Sequence, residues 1–79
     1  MKLTRKESEL LFELVQYTKE NGPSMGLLYS EKEPAKSLQR KGFINFVGVN
    51  SECSHNQVEF RKDLSEEQKD LIILSLLEN

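Results

Sequence analysis

Pro34-Ala35-Lys36-Ser37-Leu38-Gln39-Arg40-Lys41-Gly42, running directly into Phe43-Ile44-Asn45-Phe46-Val47-Gly48-Val49, is the stretch on which the fold turns. Before Gly42 the residues suit a helix, with Ala35 and Leu38 on one side and Lys36, Gln39 and Arg40 on the other. After Gly42 the run is aromatic and β-branched, which favours a strand. Ser30 and Glu33 have capping-box spacing, but a helix capped by Ser30 would set Pro34 where an amide is needed, at a cost of ~3 kcal/mol. A helix with Pro34 in its first turn avoids that conflict. The sequence therefore predicts a helix over 33–41, led in by 30–33, with the stem of Lys41 turned inward and Gly42 as the stop.

Downstream, Asn50-Ser51-Glu52-Cys53-Ser54-His55-Asn56 is a polar run of turn formers, and Val58-Glu59-Phe60-Arg61 alternates as a half-buried strand does. Together with the run from Phe43 they read as a β-hairpin with a long tip. Ser65 and Gln68 then share capping-box spacing, with Glu66 and Glu67 suited to a helix start. The helix they open, over 65–78, is apolar on nearly every face through Leu71-Ile72-Ile73-Leu74-Ser75-Leu76-Leu77. So small a domain cannot cover all of that surface, and about four exposed side chains at ~1.5–3 kcal/mol each would forgo much of its stability margin. A second copy of the chain is the expected cover, with Leu71, Ile72, Ile73, Leu76 and Leu77 as the dimer interface.

Upstream, Thr4 and Glu7 form another capping-box pair. Leu10, Leu11, Leu14, Val15 and Tyr17 follow on one broad stripe, and Asn21-Gly22-Pro23 ends a helix predicted over about 5–20. Ser24-Met25-Gly26-Leu27-Leu28-Tyr29-Ser30 is ambiguous: it suits a two-turn helix capped by Ser24, which Gly26 weakens by ~1 kcal/mol.

At 79 residues the chain holds a single domain, 1–79. It is 37% apolar and 30% charged, as in globular rather than disordered proteins, and no apolar run is long enough to span a bilayer. The charged N-terminus lacks the apolar segment of a secretory signal, and the single Cys53 excludes an internal disulfide, so a reducing, cytoplasmic setting is expected. The formal net charge of −2 is unevenly spread. Residues 34–62 carry five basic against two acidic groups, whereas 63–79 carry one basic against five acidic. Such asymmetry orients a protein on a polyanion even when the total is acidic.

The element order of helix, short helix, helix, strand, loop, strand and terminal helix is that of a winged helix-turn-helix domain. Ala35 through Ile44 looks like the end of a recognition helix entering the first wing strand, with its Leu, basic pair, Gly and two apolar residues. Val58-Glu59-Phe60-Arg61-Lys62-Asp63-Leu64-Ser65-Glu66-Glu67 is similar to the second wing strand leading into the C-terminal helix of MarR-like regulators. The resemblance implies an α+β winged helix-turn-helix fold with three helices, a two-stranded β-hairpin wing and a C-terminal helix. It further implies a dimeric regulator of transcription that binds double-stranded DNA. Only 21 residues separate Ser24 from Ile44 inclusive, fewer than many winged helices use, and Ser51–Asn56 has no Lys or Arg to place in a groove.

Lys36, Ser37, Gln39, Arg40 and Lys41 are the candidate contacts from the third helix, and Arg61 and Lys62 from the return strand. Arg and Lys suit phosphate and guanine, and Gln suits adenine. Cys53 and His55 fall short of the four ligands of a structural zinc site and lack the third group of a catalytic set. No cofactor, metal or enzymatic chemistry is expected. The alternative is a protein-interaction module, with the apolar helix or the Phe43–Val49 ribbon as its docking surface.

Overall fold

A computed structural model describes residues 2–47 and 57–78. The polar loop of 50–56, with Cys53 and His55, and the end of the first ribbon strand lie outside the described residues. The chain forms α1 (Arg5–Asn21), β1 (Ser24–Gly26), a 3₁₀ turn (Tyr29–Glu31), α2 (Lys32–Arg40), β2 (Ile44–Phe46), β3 (Gln57–Phe60) and α3 (Glu66–Glu78). It is an α+β domain with three helices and a three-stranded antiparallel sheet among the described residues.

Local chemistry sets the helix starts. The Thr4 hydroxyl accepts from the Glu7 N–H at 3.2 Å, and the Glu7 carboxylate accepts from the Thr4 N–H at 2.7 Å. At α3 the Ser65 hydroxyl accepts from the Gln68 N–H at 3.1 Å, and the Gln68 side-chain oxygen accepts from the Ser65 N–H at 2.8 Å. Pro34 is the third residue of α2, inside the turn whose amides have no helical acceptor.

The segment at Ser24 departs from the two-turn helix that its sequence allows. Ser24–Gly26 is a strand, and a single 3₁₀ turn supplies the only helical character between it and α2. The sheet order is β1-β3-β2, so β1 pairs not with its sequence neighbour β2 but with β3. Val58 stands opposite Met25 on one side and Phe46 on the other, which makes this register the inward face.

The core joins Leu10, Leu11 and Leu14 of α1, Ala35 and Leu38 of α2, and Met25, Phe43, Ile44, Val58 and Ile72. Gly42 takes φ +87° at the exit of α2, a conformation that favours glycine. A Cβ there would lie 2.9 Å from the Gln68 side-chain nitrogen, which donates to the Lys41 carbonyl at 2.9 Å. Gln68 thus ties the start of α3 to the end of α2.

Two placements differ from the sequence reading. Tyr17, expected on the buried stripe, is 40% exposed, because the stripe needed at that level of α1 is narrower than its apolar residues. Ile72, expected at a dimer interface, packs into its own domain and belongs to the core.

Candidate nucleic-acid interface

α2 packs its Ala35 and Leu38 inward and presents Glu33, Lys36, Gln39 and Arg40 to solvent. Lys36 lies 3.8 Å from Glu33, a loose pair on a wet surface that contributes little to stability. Arg40, in the last turn, complements the negative end of the helix. Lys62, beyond the end of β3, is exposed.

The remaining three candidates are engaged within the domain. Ser37 and Lys41, four residues apart on one flank of α2, both turn towards α1. The Ser37 hydroxyl donates to one oxygen of the Glu7 carboxylate, and the Lys41 ammonium donates to the other at 2.8 Å. The same ammonium donates to the Lys2 carbonyl at 2.9 Å. Arg61 grips Asp63 through two parallel bonds of 2.9 and 2.8 Å. That pairing holds the Asp63 carboxyl below its usual range.

Glu7 is the buried charge of this assembly, with its side chain 1% exposed. Burial pushes its carboxyl up, but bonds from Lys41, Ser37 and the Thr4 N–H outweigh that and hold it at about 2, against a usual 4.5. The sequence shows Glu7 only as a helix cap. Its spacing of three, four and seven residues from Leu10, Leu11 and Leu14 is the signal that it also lies on the inward stripe.

The outer face of α3 forms a second surface. Ile73, Leu74 and Leu77 are 55%, 48% and 79% exposed, whereas Leu71 and Leu76 are half-buried. The rotation follows from Ser75, which is buried, donates to the Leu71 carbonyl at 2.9 Å and lies 3.2 Å from the Ser8 hydroxyl. Its small side chain lets α3 approach α1 closely.

Among the described residues no cluster of three or more His, Cys, Asp or Glu side chains could hold a metal ion. No helix among them is long and apolar enough to cross a membrane. No protein-family model, curated protein or solved structure matches the chain.

Proposed function

We propose that the chain is a small winged-helix DNA-binding protein that regulates transcription as a homodimer, with α2 laid against double-stranded DNA. The observation that carries this reading is the two-sided construction of α2. Its inner flank is fixed to α1 by Ser37 and Lys41 through Glu7, and its end is held by Gln68. Its outer face offers Lys36, Gln39 and Arg40 to a partner. Lys62 adds a phosphate contact from the ribbon side, and Ile73, Leu74 and Leu77 supply the pairing surface. A protomer measures 33 × 24 × 24 Å, so a two-fold pair can set its two copies of α2 about 34 Å apart, one turn of DNA.

The test is fluorescence polarisation with labelled 30-base-pair duplexes drawn from a random pool, from low to physiological salt. Binding should weaken steeply with salt, and Arg40→Ala or Lys36→Ala, each removing one contact per protomer, should each reduce the logarithmic salt slope of the dimer by about 1.8. Absence of salt-sensitive binding across the pool would overturn the reading. The protein-interaction alternative draws on the apolar outer face of α3, which would then cover a partner protein rather than a second copy. It predicts a stoichiometric protein complex that survives high salt without DNA.

A further inference from the structure

On the side of α1 towards β1 and the 3₁₀ turn, an open groove of about 480 Å³ is floored by Phe12, Tyr17, Met25 and Leu28. Its walls carry Glu13, Glu20 and Glu31 and no basic side chain. A smaller hollow of about 260 Å³ shares Glu13, Leu28 and Glu31 with it and adds Glu9 and Lys6. The continuous surface thus sets four carboxylates and one ammonium around an apolar floor. Leu28 is 69% exposed and Tyr29 beside it 88% exposed, an unusual outlay of apolar surface for a domain this small.

We infer that this groove is a docking site for a cationic amphipathic segment of a partner protein, whose apolar side chains fill the floor and whose Lys or Arg side chains meet Glu13, Glu20 and Glu31. Charge complementarity selects this occupant: an acidic segment would face the three like charges of the walls, and an uncharged one would leave those charges unbalanced.

Glu9 already accepts from the Arg5 guanidinium at 3.2 Å, so Glu13, Glu20 and Glu31 carry the negative charge of the groove. Glu31 is oriented by the Leu28 N–H, which donates to it at 2.8 Å. The neighbouring Glu31 side chain, burial, and the like charges of Glu31 and Glu9 raise the Glu13 carboxyl to about 7. Lys6 lines only the smaller hollow, and Lys32 is engaged over the Tyr29 ring at 5.5 Å. An incoming ammonium beside Glu13 and Glu31 offsets their like charges. This site lies apart from the outward face of α2 and does not depend on the DNA-binding reading.

The experiment uses the full chain and a fluorescein-labelled 14-residue peptide of alternating Leu and Lys at helical spacing, read by polarisation. A Leu/Glu peptide of the same pattern and an all-Lys peptide of the same charge serve as comparisons. The Leu/Lys peptide should bind saturably, at least tenfold tighter than either comparison. Glu13→Lys and Leu28→Ser, both at exposed positions, should each weaken it about tenfold or more, whereas Asp70→Lys on α3 should leave it within twofold. Binding should also tighten from pH 6 to pH 8 as Glu13 loses its proton. No saturable binding, equal binding of the all-Lys peptide, or equal sensitivity to Asp70→Lys would overturn the inference. Sedimentation of the chain alone covers the remaining occupant: self-association abolished by Leu28→Ser would assign the groove to a second copy and overturn it too.

Discussion

Replacing Lys41 by Met keeps the aliphatic stem and removes the ammonium from the Glu7 carboxylate, isolating one of the two side-chain contacts through which Glu7 ties α2 to α1. The carboxyl of Glu7 sits at about 2 in the folded chain against a usual 4.5, and at ~1.4 kcal/mol per unit this contributes about 3 kcal/mol to stability at pH 7. Among the bonds that lower it, the one from Lys41 is the largest. Lys41→Met should therefore cost about 2 kcal/mol, less than the 3–5 typical of a fully enclosed pair, because the lysine keeps 29% of its side chain exposed. With a urea dependence of roughly 1 kcal/mol per molar for so small a domain, the midpoint should fall by about 2 M. The sign of the pH dependence follows from the lowered carboxyl. Its stabilisation is present in full above about pH 5, is roughly half gone near pH 3, and vanishes below the folded value near 2. The gap between wild type and Lys41→Met, measured by circular dichroism in urea, should accordingly narrow as pH falls from 7 to 2, while the other carboxylates cancel between them. A gap that stays constant over this range, or one below ~0.5 kcal/mol at pH 7, would refute the reasoning.

Gly42→Ala should lower the urea midpoint more than Gly22→Ala. Both glycines have positive φ, but only at Gly42 does a new Cβ meet the Gln68 side chain at 2.9 Å. The first should cost about 2 kcal/mol and the second about 1, and equal costs would remove Gln68 from the account. Ile73→Asp and Leu77→Asp, at exposed positions of α3, should leave the helical signal intact and shift sedimentation from dimer to monomer. Wild type sedimenting as a monomer at tens of micromolar would instead remove the pairing surface. Glu13→Gln should be more stable than wild type at pH 8 but not at pH 4, since ionising the raised Glu13 carboxyl opposes folding between about 4.5 and 7. Parallel urea midpoints at the two pH values would contradict it.

The helices and the β2–β3 pairing are legible in the sequence because their signals are local. Thr4 with Glu7 and Ser65 with Gln68 mark starts that the hydrogen bonds reproduce, and Pro34 with Gly42 brackets α2 within a residue or two. β1 is not legible, because three residues carry no period. Ser24–Gly26 becomes a strand only by lying beside β3, more than thirty residues away in sequence. The candidate site was legible in part. Spacing on α2 correctly turns Lys36, Gln39 and Arg40 outward. Helical spacing also sets Ser37 beside Lys41, but whether that flank meets solvent or α1 depends on where Glu7 lies. On α3 an apolar run without a polar side leaves the rotation undetermined by pattern alone, and Ser75 against Ser8 is what sends Ile72 inward and Ile73 outward.

The inward commitment of Ser37 and Lys41 bears directly on what α2 can do. A helix of nine residues presents a fixed face only if its opposite side is anchored, and in this chain part of the anchor is polar. Anchoring by Lys41 withdraws a cation from the outer surface, and Asp63 likewise occupies Arg61. Lys36, Arg40 and Lys62 remain to meet phosphates, which limits the logarithmic salt slope to about −2.7 for one protomer and about −5 for a pair. Three contacts are few for an acidic chain to hold DNA, whereas a pair doubles the contacts and makes the second set intramolecular. The apolar face of α3 and the cationic face of α2 therefore belong to one functional argument. A protein that used α2 on DNA would need the Ile73–Leu77 surface to be covered by its own copy, and a protein that covered that surface with another partner would have little use for so sparse a cationic helix.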